Sequence, residues 1–167
     1  MTENLSPEQF LTRTLKGDGE AVTFVLHLCK VLHLWDDLED RDKPILRADV
    51  DKAMYLALVA IPRNAFYRQY FDELNAVLAN AIYNWHCANE LESKDTQAGR
   101  EVAFVIRSSY CDVVLTAARI IGGYDWARLV APEIRSYWHS EGLKGYQENL
   151  DMQRKLAKEL EREHILQ

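Results

Sequence analysis

The chain has 167 residues and a formal net charge of −6, with 48% hydrophobic and 28% charged residues. That length suits one domain with a sizeable core, and the acidic balance speaks against a non-specific nucleic-acid binder, which needs clustered Lys and Arg to neutralise phosphates. Seven glycines and four prolines supply too little turn material for many short strands and suit a few long helices.

The start, Met1 to Phe10, is polar and acidic and lacks the basic and apolar parts of a signal peptide. Ser6, followed by Pro7 and Gln9, spells a capping box that opens a first helix ending near Gly17. The pattern predicts a second helix from Gly19 to Asp40, closed by Asp42, Lys43 and Pro44. It is apolar almost all round, but Thr23, His27, Lys30 and His33 interrupt it, so it is too polar to cross a bilayer. A third helix should run from Arg47 to Ile61, before Pro62. Asn64 should cap a fourth that reaches Ser93, with a break near Asp72.

Asp95 is placed to cap a fifth helix, which the Gly122-Gly123 pair should stop. A sixth should run from Asp125 to Glu141, with Pro132 as a dividing point, and a last from Tyr146 to His164. The expected architecture is therefore all-α: one domain over 1–167, a bundle of about six to seven helices whose second and fifth members are central. The charged helix over 145–167 carries Leu150, Leu156, Leu160 and Ile165. It reads either as a solvated helix clipped on by leucines or as a surface for a protein partner or a second copy. Cys29, Cys87 and Cys111 are odd in number, far apart and set among apolar residues. They read as buried reduced thiols, which fits a cytoplasmic protein.

The most pointed chemical feature is Asp36-Asp37-Leu38-Glu39-Asp40. With Asp36 at zero on an ideal helix, Asp40 falls near 40°, His33 near 60° and Asp37 at about 100°, with Lys30 at the edge of the stripe. Carboxylates this close repel unless a cation or basic partner sits between them, and at a helix C-terminus they also oppose the macrodipole. Hard divalent ions such as Mg²⁺ or Mn²⁺ accept such oxygens and bridge them to phosphates. The bland alternative is a solvated acidic helix end.

A second polar stripe, Glu101, Ser108, Ser109, Asp112, Thr116 and Arg119, runs along the fifth helix if that helix is continuous. It fits either a solvent-facing edge or an internal cavity. A third stripe, Glu73, Asn80 and Asn84, lies on the fourth helix. If the three converge, Asp36, Asp37 and Asp40 hold the metal and Asp112 acts as the catalytic group. Lys30, His33, Asn80, Asn84, Ser108 and Arg119 then meet a small anionic ligand carrying a diphosphate.

His86 and Glu90 read as a surface pair, and His139, in Trp138-His139-Ser140-Glu141, has no base–nucleophile geometry that the sequence establishes, so no Ser-His-Asp reading is supported. The aromatic side chains at helical spacing read first as core; Trp35 and Trp85 adjoin the polar stripes, so the alternative for either is to wall a pocket.

The Asp36–Asp40 run resembles the aspartate-rich DDxxD motif of class I isoprenoid synthases, all-helical enzymes that hold Mg²⁺ and a diphosphate. The second metal motif of that family is matched only at the step from Asn80 to Asn84, because Ala88 stands where an acid is needed. In size the chain is similar to the all-helical nucleoside-triphosphate pyrophosphatases. Their paired ExxE motif is missing here, and Asp112 would replace it. In style it also resembles small helical proteins of tailed phages. These resemblances imply Mg²⁺-dependent binding, hydrolysis or transfer of a nucleotide or prenyl diphosphate. The alternative is a non-catalytic protein that sequesters a nucleotide or meets a protein partner.

Overall fold

The computed structural model describes residues 5–40 and 44–165, except the side chains of 40 and of 157 onward. Among the described residues the chain is all-α, with no strand. α1 (Pro7–Thr14) is opened by the capping box read from the sequence: Gln9 N–H donates to Ser6 Oγ and Ser6 N–H to Gln9 Oε1. It ends in a Schellman motif, in which Gly17 N–H reaches Thr12 O at 2.8 Å and Lys16, at φ 52, takes the left-handed position. Asp18 then accepts from Ala21 N–H at 2.9 Å and starts α2 (Gly19–Asp40), with the bounds the sequence predicts.

α3 (Arg47–Tyr55) continues through a π turn at Leu56–Ala60 into α4 (Ile61–Arg63), so the helical path outlasts the stop expected before Pro62. Proline is tolerated there because it occupies the first turn of the new segment, where its missing N–H is not needed. Asn64 caps α5 (Ala65–Gln69) by accepting from Tyr67 N–H at 2.8 Å. Its amide also donates to the Glu20 carbonyl and carboxylate at 2.9 and 3.0 Å, pinning α5 to the start of α2. α6 (Phe71–Ser93) follows after a break at Tyr70, one or two residues from where the sequence puts it.

Thr96, not Asp95, caps α7 (Gln97–Ile106), accepting from Gly99 N–H at 3.1 Å. Asp95 sits at φ 55 and turns its carboxylate to Arg100 and Arg154. The expected fifth helix is two helices, because α7 ends at Ile106 and α8 (Cys111–Trp138) begins after a turn. α8 bends at Gly123, whose φ of 78 bears out the stop signal read at the glycine pair. α9 (Gly142–Ile165) closes the chain.

Two clusters hold these elements. The larger packs Phe10, Leu11, Phe24, Val25, Leu28 and Leu74 against Val113, Val114, Ala117 and Ile134. Phe10 stacks on Tyr137 at 4.1 Å, and Trp126 Nε1–H donates to Thr14 O at 2.9 Å, so the part of α8 after Gly123 clasps α1. The smaller joins α6, α7 and α9 through Ala88, Ala103, Tyr146 and Leu150. Gly99 lets α7 come close to α6, since a Cβ there would meet Leu91 O at 3.1 Å.

The two expected central helices are central only in part. α2 buries Ala21, Val22, Phe24, Val25 and Leu28, and no described residue after Leu28 in that helix is fully buried. α8 is buried from Cys111 to Ala118, whereas α7 exposes Val102 and Val105. No helix among the described residues is long and apolar enough to cross a membrane.

Candidate functional site

A cavity of about 430 Å³ opens where the two clusters part. Its walls come from the C-terminal half of α2, from α6, from the α7–α8 turn, and from the α8–α9 junction. The surfaces are largely aromatic: Trp35, Trp85, Phe104, Tyr110, Trp138 and Tyr146. Trp35 and Trp85 meet at 5.1 Å and His86 abuts both rings, so the pocket wall read at these two tryptophans is present and the His86–Glu90 pair is not. Glu90 instead pairs with Lys94.

One guanidinium, Arg107, enters this cavity. Its side chain is 25% exposed and bonds the Glu92 carboxylate at 2.6 Å, with Asp36 at 3.7 Å and the Tyr146 ring face at 5.6 Å. Burial alone would lower its pKa, but the Glu92 and Asp36 carboxylates and Tyr146 outweigh that and hold it above its ordinary value. Burial pushes the Tyr146 phenol up, and its hydrogen bond to Glu92 adds to the shift. Asp36 also accepts from Trp85 Nε1–H at 2.9 Å. The lining carries three carboxylates, Asp36, Glu92 and Glu141, against this single guanidinium.

On the opposite wall the Ser108 hydroxyl lies 2.8 Å from His139 Nε2, and His139 Nδ1 lies 2.8 Å from the Arg135 carbonyl. A carbonyl can only accept, so the proton of the neutral ring sits on Nδ1. Nε2 therefore presents its lone pair to the Ser108 O–H.

The residues picked from the sequence divide between places. Asp36, His33 and Ser108 line the cavity. Asp37 faces the other way, into a shallower groove of about 340 Å³ with Lys30, His33, Asp49 and Lys52. The Asp40 side chain and Lys43 lie outside the described residues.

Asp112 lines neither space; Arg135 binds its carboxylate and also donates to Cys111 Sγ at 2.9 Å. Arg119 is paired with Glu73 on the surface, Asn80 is exposed, and Asn84 donates to Ser109 Oγ at 3.0 Å. The three polar stripes therefore do not form one pocket around Asp36 and Asp112.

The physical cause is the turn at 107–110. Ser109, Cys111, Asp112 and Val113 N–H each bond three residues back, at 2.9–3.0 Å. Each such residue advances about 120° rather than 100°, so the phase assumed from Glu101 to Arg119 is lost.

Among the described residues no group of three His, Cys, Asp or Glu could hold a metal ion; the side chain of Asp40, the third expected ligand, lies outside them. The backbone phase that brings Asp36 and Asp37 within a third of the circumference still lets α6 and α3 take one each.

Arg107, Glu92, Tyr146 and His139 were missed as site residues. Arg107 left a trace as the one charge on the apolar side of its segment. The others depend on how α9 and the end of α8 dock.

The three thiols are not all buried as expected: Cys111 is buried, Cys29 is half-buried and Cys87 lies at the surface. Burial raises Cys29 and Cys111 to about 11. No family model matches this chain, and neither does any curated protein or solved structure.

Proposed function

We propose that the chain binds a small planar molecule, uncharged or cationic, in the aromatic cavity between α2, α6 and α9. The carrying observation is the pairing of six aromatic walls with a lining that holds three carboxylates and one guanidinium. Flat aromatic faces favour flat or cationic guests, and pockets of this size with few convergent polar groups suit small ligands.

The single cation is already engaged by Glu92 and Asp36. An anionic diphosphate would find mostly negative charge there, and a Mg²⁺ bridge would need carboxylates that in this chain face different helices. The same charge balance disfavours both the diphosphate enzyme and the nucleotide-sequestering protein read from the sequence.

The test is quenching of tryptophan fluorescence by 9-aminoacridine, a planar cation, against acridine-9-carboxylate, its anionic counterpart. Saturable quenching by the cation, weakened at least tenfold in Trp85→Ala and much weaker for the anion, is the expected result. Equal quenching by both, or no change in Trp85→Ala, would overturn the proposal.

A further inference from the structure

The Ser108–His139 pair is not needed for binding, and its arrangement is unlike that of the serine beside it. Ser109 closes back on its own turn, donating to Ile106 O at 2.6 Å, as serines at helix ends commonly do. Ser108 instead reaches 31 residues along the chain to an imidazole nitrogen. The ring is fixed from two sides: its Nδ1–H is held by Arg135 O at 2.8 Å, and the Phe104 ring meets it edge-on at 5.1 Å. Ser108 is only 8% exposed, yet it and His139 both line the cavity, so a molecule bound there can reach the hydroxyl. Hydroxyl, base lone pair and an acceptor that orients the base form the arrangement that makes a serine nucleophilic.

We propose that Ser108 is a nucleophile and His139 its general base, acting on a small ester or comparable activated carbonyl bound in the cavity. In the first step Ser108 Oγ bonds to the carbonyl carbon while its proton passes to His139 Nε2. The carbon–oxygen bond to the leaving alcohol then breaks, and Nε2 returns the proton to that alcohol. In the second step water attacks the acyl carbon, His139 takes a proton from it, and the Oγ–carbon bond breaks with the proton returning to Ser108. The sum is ester plus water giving acid plus alcohol, with no other reactant. That the substrate is planar and not anionic rests on the binding proposed above; the nucleophile–base pairing does not.

The experiment uses the full chain and p-nitrophenyl acetate, a neutral aromatic ester, read by p-nitrophenol release and by intact and peptide mass. The expected result is an acetyl adduct on Ser108, absent in Ser108→Ala and formed about 10²-fold more slowly, or worse, in His139→Ala. Ser108→Cys should still take acetyl, as a thioester, while His139 is present and lose that ability in the double variant. Melting curves of each variant separate chemistry from folding, since a merely structural hydrogen bond would change the melt and leave no adduct to lose. Acetylation equal in wild type and Ser108→Ala, or confined to lysines, would overturn the proposal. If 9-aminoacridine binds and no Ser108 adduct forms, the inference falls alone; if the adduct forms without acridine binding, the ligand reading falls alone.

Discussion

The two ends of α2 show how one helix serves two purposes. From Ala21 to Leu28 it is wrapped by α1, α5 and α8, and Phe24 is fully buried and stacks on Tyr67 at 4.9 Å. From Cys29 onward the same helix is only half covered, and its side chains alternate between the aromatic cavity and the groove beside α3. The first half is held by shape, where apolar groups fill space. The second is held by a few polar links, chiefly Asp36 to Trp85 and Arg107. Apolar packing is non-directional and dense, so it leaves no room for a guest. Directional bonds between aromatic walls can hold helices apart and keep a space open.

Substitutions should separate the two halves. The largest effect is expected for Phe24→Ala, which should cost about 3–5 kcal/mol by denaturant unfolding, with 9-aminoacridine binding retained wherever the protein remains folded. A loss of binding without loss of stability would break the comparison. Arg107→Met should cost about 2 kcal/mol, because Glu92 then lies half-buried without its cation, and it should raise affinity for the cationic acridine several-fold while leaving the anion weak. Trp85→Phe keeps the wall and removes the bond to Asp36, for a smaller loss of about 1 kcal/mol and a modest fall in binding.

The thiols offer a pH test of the larger cluster, which buries Cys111 and against which Cys29 packs. Cys29 and Cys111 have folded pKa values of about 11 against 9.0 for an exposed thiol. Below pH 9 both states hold the proton and nothing changes. Above it the unfolded chain loses protons that the folded chain keeps, so stability should fall between pH 9 and 11. Cys29→Ala should flatten that fall in chemical denaturation. At pH 8 only Cys87 should react quickly with a thiol reagent. The smallest effect expected is none: Mn²⁺ should leave the melting temperature of the wild type and of Asp37→Asn alike. A rise that depends on Asp37 would return the acidic run to consideration as a metal site.

Helix existence and ends were readable in residues such as Ser6, Gln9, Asn64 and Gly123, because caps and stops act over three or four residues. The pocket wall at Trp35 and Trp85 was legible only as the alternative to core packing, because helical spacing puts both beside polar stripes without saying what docks against them. Thr96 was passed over for its neighbour Asp95, whose positive φ takes it out of the capping position. The Asp112 stripe failed because periodicity assumes a regular helix, and four turn residues reset the phase.

The sequence by itself determined an all-helical chain, most of its helix boundaries and the acidic end of α2, all of which are local properties of spacing and composition. The tertiary structure alone decided that Asp36 and Asp37 part company, that Arg107 sits between Glu92 and Asp36, and that Ser108 meets His139. Those outcomes depend on contacts between residues as much as 71 positions apart in the chain, and docking geometry of that kind is set by how side chains fill the space between helices, which no helical period encodes.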